Sequence, residues 1–177
     1  ALFFQVVSSA FVTHTSEVEE ILRSSWFGLH VTAALLGYAA FAIAAVYGLL
    51  YLMLYRTLKG KHAGLVFQRL PHLEILGKLN VSAMIFGWGN LTLGIVIGVV
   101  WVAGLESSGR LESDFLSDPQ FLSATAVWVI YSTCLAGRYT LKWPSRYLAG
   151  ISMVTFGLLL ASSFVVNLVV ESFHSFG

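Results

Sequence analysis

The feature that most constrains this chain is an uncharged apolar run that extends from Val31 to Tyr55 and ends at Arg56. A helix needs about 20 mostly apolar residues to cross a hydrocarbon core of about 30 Å, and this run exceeds that length. Only 11% of all residues are charged, against about 25% in a soluble domain. No alternating strand pattern competes, and backbone in lipid must satisfy its own hydrogen bonds. The sequence therefore predicts an all-α, polytopic transmembrane helix bundle.

Apolar segments of similar length recur along the chain and predict four full spanning helices within one membrane domain, residues 1–177. The predicted helices are residues 26–55, 80–104, 121–139 and 147–170. Residues 1–13 are apolar but would form a helix of only about 20 Å, so we expect either a partial helix whose beginning is absent or an interfacial helix. Residues 16–22 and 70–77 have the pattern of short amphipathic interfacial helices.

The charged residues divide the connections between helices into two classes. Eight of the ten basic residues lie in residues 56–78 and 138–146, whereas eight of the nine acidic residues lie in the other connections and near the chain ends. Cytoplasmic loops of membrane proteins are enriched in Lys and Arg, so the basic loops are expected in the cytoplasm. Both chain ends then lie outside a bacterial inner membrane or an equivalent energy-transducing membrane. No basic patch remains that would indicate a nucleic-acid partner.

Small residues recur at helical spacing and predict a closely packed bundle. Small side chains let helix backbones approach each other in lipid. The candidates are Ala40, Ala44 and Gly48 on the first helix, Gly94 and Gly98 on the second, and Gly150, Gly157 and Ala161 on the fourth. Cys134 is the only cysteine, so an intrachain disulfide is excluded, and in an apolar helix it is expected to act as a small hydrophobic residue.

Two histidines lie on the outer side of this topology, where ionisable groups are costly and often functional. His30 is in the first turns of the first spanning helix, and His174 follows the fourth. Neutral imidazole is a common axial ligand of haem iron, so the two histidines could ligate one haem edge-on. Alternatively, His30 is an interfacial residue bonded to a loop, and His174 is a tail residue. His14 is a third outer candidate, while His62 and His72 are expected to be solvated.

An ordered set of short motifs resembles the cytochrome c assembly protein family, which includes CcsA, CcmC and HemX-like membrane proteins. The resemblance covers residues 25–177. In chain order the motifs are WFGLHV (26–31), GYAAF (37–41), RLPHLE (69–74), LTLGIVIG (91–98), DP (118–119), WVIY (128–131), Arg138, NL (167–168) and FHSFG (173–177).

The resemblance implies a cofactor and its ligands. In this family, histidines in the positions of His30 and His174 are external haem ligands, which implies a haem b whose iron is the only metal. Tyr38 and Asn167 lie within about two helical turns of these histidines. They could hydrogen-bond the ligands or the haem propionates, although bonding between helices is the alternative for both.

The sequence also departs from the family pattern. The family's external segment ends in Trp-Asp-Pro-Lys-Glu-x-Trp, whereas residues 117–123 read SDPQFLS and residues 105–116 contain no tryptophan. The channel-type members carry a histidine inside the third helix, where this chain has Ala136. The departures favour the HemX-like branch, with a degenerate tryptophan-rich segment, and argue against a second haem inside the membrane.

Two classes of function remain open. The first is an integral membrane protein that binds or handles haem in cytochrome c biogenesis, without being an enzyme. The second is a structural subunit or scaffold of a larger respiratory, photosynthetic or cytochrome-maturation complex, which has lost haem transfer. A regulator of haem biosynthesis is a further alternative, suggested by the HemX likeness. Besides the lipid bilayer, the expected partners are other membrane subunits or missing N-terminal helices, within a cytochrome c maturation or electron-transfer complex.

Overall fold

A computed structural model describes the backbone of residues 25–60, 72–107 and 119–174, and the side chains of residues 25–60, 72–107 and 120–161. The described residues form four helices and no strand, which confirms the predicted all-α membrane bundle. The helices are α1 (Ser25–Lys59), α2 (Leu73–Ser107), α3 (Pro119–Tyr139) and α4 (Ser145–His174). The predictions for residues 1–13 and 16–22 lie outside the described residues.

The helix limits follow from local sequence. The segment from Leu73 to Gly77, predicted as part of a short helix, forms the first turns of α2 without a break. Pro119 is the first residue of α3, where its missing N–H costs no hydrogen bond. Helices α1, α2 and α3 are long and apolar enough to cross a membrane. The described side chains of α4 extend only to Ala161, but its helical backbone continues to His174.

Helices α1 and α2 pack antiparallel along four glycines that we call the glycine seam: Gly37, Gly87, Gly94 and Gly98. A Cβ atom on Gly37 would lie 3.1 Å from the backbone N of Leu91, and one on Gly87 would lie 2.7 Å from the Phe41 ring. A Cβ atom on Gly94 would lie 3.4 Å from the backbone N of Ala34. The two backbones are therefore almost in contact, as small residues permit in lipid.

Helix α4 joins this pair through a buried polar side chain on α2. Asn80 is 1% exposed, and its Nδ2 donates to the Ala44 carbonyl on α1 at 2.7 Å and to Ser152 Oγ on α4 at 2.9 Å. A Cβ atom on Gly48 would lie 2.7 Å from the Ala149 carbonyl oxygen, which confirms the close packing expected at Ala44 and Gly48. One amide thus ties three helices together where water cannot compete for its hydrogen bonds.

Helix α3 is held to α2 by two tryptophans and two hydroxyl groups. Trp88 Nε1 donates to Ser132 Oγ at 2.7 Å, and Trp128 Nε1 donates to Thr92 Oγ1 at 2.8 Å. Each hydroxyl in turn donates to the backbone carbonyl of the tryptophan one turn earlier on its own helix. Both indole N–H groups are therefore satisfied within the bundle, which a partly buried tryptophan requires.

The small residues of α4 differ from the prediction. A Cβ atom on Gly150 or Gly157 would meet no described atom within 4 Å, and Ala161 is exposed. The face of α4 that is buried within the described bundle instead carries Leu148, Ala149, Ser152 and Thr155. Within the described part of the chain, the small residues of α4 therefore do not mark the face that packs against the other helices.

We predict that Asn80→Ala lowers the free energy of unfolding by about 1–2 kcal/mol, because it removes both interhelical hydrogen bonds. Asn90→Ala is the matched control, since among the described residues Asn90 Nδ2 donates to the Phe86 carbonyl of its own helix and to no other helix. Unfolding in detergent, followed by circular dichroism during denaturant titration, measures the difference. Equal losses for the two variants would show that Asn80 does not join the helices.

Candidate functional site

His30 lies near the start of α1, at the end of the bundle where α2 finishes. Its Nδ1 is 2.8 Å from the carbonyl oxygen of Gly94 on α2. A carbonyl only accepts hydrogen bonds, so Nδ1 must carry the proton and donate. In the neutral imidazole the other nitrogen, Nε2, then keeps an available lone pair. The hydrogen bond fixes both the orientation and the tautomer of the ring, as outer partners do for histidines that bind metals.

Space for the ring comes from the last glycine of the seam. A Cβ atom on Gly98 would lie 2.8 Å from both Cε1 and Nδ1 of His30. The imidazole therefore lies directly over the α2 backbone, and any larger residue at position 98 would displace it. Gly94 and Gly98 contribute together, because one supplies the accepting carbonyl and the other leaves room for the ring.

Aromatic side chains surround the helix ends one turn beyond His30. The Phe27 and Trp101 rings lie 5.7 Å apart between centroids, at an interplanar angle of 53°. Trp26 is 52% exposed and, with Val100, Trp101, Gly104 and Leu105, lines an open cavity of about 270 Å³. The residues that line this cavity are apolar or aromatic. The site therefore pairs one positioned imidazole with exposed aromatic surface.

The other residues predicted for the site are not brought to His30 by described contacts. Tyr38 is partly buried and packs against the core that contains Phe41 and Tyr131, about 12 Å along α1 from His30. The side chains of Asn167 and His174 lie outside the described residues, although both positions belong to α4. Their assignment as cofactor-binding residues stays a prediction.

The donor set limits what this site can bind. Among the described residues, no three His, Cys, Asp or Glu side chains come together to hold a metal ion. A single oriented imidazole instead suits a metal that brings most of its ligands with it, as iron in a porphyrin does. The aromatic and apolar surroundings suit a flat, largely apolar group. The His30 site therefore fits the prosthetic group that the sequence motifs imply.

The sequence predicts His30 as a site residue but does not show what holds its ring. In the sequence, Gly94 and Gly98 indicate only close helix packing. The available signal was the coincidence of a small-residue pair near the end of α2 with a histidine near the start of α1. Antiparallel packing in the correct register brings those positions together, and the register depends on contacts such as Gly37 to Leu91.

Comparison with known proteins identifies related sequences. A family model described as "Cytochrome C assembly protein" matches residues 1–174. The protein HemX of Brevibacillus brevis is 29% identical over 97% of this chain and 61% of its own length. The cytochrome c biogenesis protein CcsA of Chlamydomonas reinhardtii is 30% identical over 88% of this chain and 42% of its own length. The chain thus spans about half the length of such relatives, and no solved structure matches it significantly.

We predict that Gly98→Ala destabilises the fold by about 1–3 kcal/mol, because the added methyl group must displace the His30 ring or separate the helices. Gly104→Ala on the same helix is the control, since a Cβ atom there meets nothing within 4 Å and alanine is the better helix former. Thermal unfolding in detergent compares the two. A Gly98→Ala variant as stable as Gly104→Ala would contradict the observed position of His30.

Proposed function

This chain belongs to the cytochrome c assembly protein family, and we propose that it binds haem b at the His30 end of the bundle. His30 would hold the iron through Nε2, and His174 would supply the second protein ligand. The observation that carries the proposal is the hydrogen bond from His30 Nδ1 to the Gly94 carbonyl, which leaves Nε2 available. The role proposed is binding and handling of haem for cytochrome c assembly, without an enzymatic reaction.

Several described residues would take different parts in holding a haem. Bound there, the group would supply an iron centre that accepts imidazole and changes oxidation state. Helix α1 presents the ligand nitrogen, and α2 keeps the Nδ1 proton on the far side of the ring. Trp26 and Trp101 offer aromatic surface beside the ligand and compensate in part for the tryptophans absent from residues 105–116.

The helix register supports His174 as the second ligand. Asn80 marks one level of the bundle, because it binds Ala44 on α1 and Ser152 on α4. At about 1.5 Å per residue, the α-carbon of His30 is about 21 Å from that level and that of His174 about 33 Å, towards the same end. Both histidine positions therefore belong to the same end of the bundle, and this shared end is what supports the pairing.

A scaffolding role is the second candidate, and one observation favours it. Gly150 and Gly157 have open space beside them among the described residues, and large apolar side chains such as Leu158 and Leu160 are exposed on the same helix. Another membrane subunit could pack there. The regulatory alternative stays a prediction, since no described contact bears on it.

We also propose that the His30 end of the bundle lies outside the cytoplasm. The support is the charge distribution, because Arg56, Lys59, Lys78, Arg138 and Arg146 all belong to the opposite end. Positive loops are retained in the cytoplasm. Haem ligated by His30 would then be accessible on the side where c-type cytochromes are assembled.

Cysteine labelling tests this orientation. Glu106 and Thr140 are both exposed, at opposite ends of the bundle, whereas Cys134 is only 2% exposed. We predict that a membrane-impermeant maleimide labels Glu106→Cys in intact cells, and labels Thr140→Cys only after permeabilisation. A Cys134→Ala background removes the native thiol. The reverse labelling pattern would show that the His30 end faces the cytoplasm.

Visible absorption spectra test haem binding. We predict that the purified chain supplied with haem shows a low-spin b-type spectrum, which His30→Gly and His174→Gly each abolish. His72→Gly is the control, because His72 is exposed at the opposite end of α2. Added imidazole should restore the spectrum of His30→Gly, since it replaces the missing ligand without changing the fold. If the wild-type protein stays colourless after haem is supplied, the scaffolding role is favoured instead. A haem spectrum that remains in both the His30→Gly and the His174→Gly variant would show that these histidines are not the ligands.

A further inference from the structure

A second cavity lies at the end of the bundle opposite His30, which we call the basic end. It has a volume of about 460 Å³ and is lined by Tyr51, Leu73, Glu74, Lys78, Arg138 and Ser145. Three helices and the start of the fourth contribute to it, so the cavity is a product of the tertiary fold. None of the residues that line this cavity belongs to the proposed haem site.

Arg138 is held in place at the cavity by the turn between α3 and α4. Its Nη1 donates to the Trp143 carbonyl at 2.9 Å, and the Trp143 backbone N donates to the Gly137 carbonyl at 3.1 Å. A Cβ atom on Gly137 would lie 2.7 Å from the Trp143 ring, so the indole packs directly on this turn. The guanidinium is half-buried and oriented, unlike a solvated loop arginine, and it keeps further N–H groups for a ligand.

Two hydroxyl groups border the cavity beside Arg138. Tyr51 is 8% exposed, and within the described part of the chain no hydrogen-bond partner is present for its hydroxyl. Ser145 Oγ also lacks a partner among the described residues, and it lies at the first turn of α4, where the helix dipole is positive.

The acidic residue in the cavity wall is already neutralised. Glu74 forms an ion pair with Lys78, with 2.7 Å between Oε1 and Nζ, and both side chains are largely exposed at the rim. Among the described side chains, no carboxylate pairs with Arg138, so the deeper part of the cavity keeps its positive charge. A buried phenol, a serine hydroxyl and an oriented guanidinium together can donate several hydrogen bonds to one tetrahedral anion.

We propose that this cavity binds a phosphate group, with Arg138, Tyr51 and Ser145 as its donors. The group is carried by an anionic phospholipid headgroup or by a free phosphate, since both present the same oxygens. The position favours the lipid, because basic pockets between helices at the cytoplasmic surface meet anionic headgroups there. Tyr51 and Leu73 give the cavity an apolar wall on which glycerol or acyl carbons can lie.

The test is a titration of the delipidated, purified chain with short-chain phosphatidylglycerol, with phosphatidylcholine of the same chain length, and with inorganic phosphate. The shift of the thermal unfolding midpoint reports binding. The variants are Arg138→Gln, Tyr51→Phe and Ser145→Ala, with Lys59→Gln as the control, because Lys59 loses the same charge at the same end but does not line the cavity. Tyr51→Phe keeps the ring and its packing, so it remains informative if Arg138→Gln does not fold.

We expect phosphatidylglycerol to bind wild type and Lys59→Gln alike, and Arg138→Gln about fivefold more weakly, as one Arg near an anionic surface contributes. Tyr51→Phe and Ser145→Ala should each weaken it as well. A response to inorganic phosphate with the same dependence on these variants would support the site and assign it to a free anion. Phosphatidylcholine binding equally well, or a phosphatidylglycerol response unchanged in Arg138→Gln and Tyr51→Phe, would overturn the proposal.

Discussion

The close approach of α1 and α2 along the glycine seam is the interaction on which the rest of this structure depends. In lipid there is little hydrophobic drive for helices to associate, so packing and hydrogen bonds must hold them. The seam brings the backbones near enough for a Gly94 carbonyl to accept from His30 and for Asn80 to reach Ala44. Helices α3 and α4 are then fixed to this pair by hydrogen bonds from Trp88, Trp128 and Asn80.

The same seam connects folding to the proposed function. A ligand nitrogen is useful only if its ring is oriented and its tautomer is set before the metal arrives. Here α2 does both, because Gly98 leaves room for the ring and Gly94 accepts its Nδ1 proton. The two ends of the bundle then differ in chemistry: one presents imidazole and indole, and the other presents guanidinium and hydroxyl groups.

Much of this architecture follows from the sequence, since length and hydropathy suffice to place a spanning helix. The uncharged run before Arg56 predicted α1, and the motif around His30 predicted the family. The assignment of His30 as a ligand stays a prediction. Residue spacing could not show which helices meet. The hydrogen bonds of Asn80, and the one that Trp88 donates to Ser132, join positions far apart in sequence. The opposite case occurs at Gly150 and Gly157. Their spacing is that of a packing motif, but no described residue packs against them.

The most direct test of this account is the protonation pattern of His30 before any haem is bound. Nitrogen-15 NMR of the histidine-labelled chain, at a pH where imidazole is neutral, distinguishes the two tautomers, and His30→Gln identifies the signal. The account predicts a proton on Nδ1 and a free Nε2. A proton on Nε2, or rapid averaging between the two nitrogens, would show that the Gly94 carbonyl does not hold the ring. It would contradict the claim that the His30 ring is oriented for an iron ligand before haem binds.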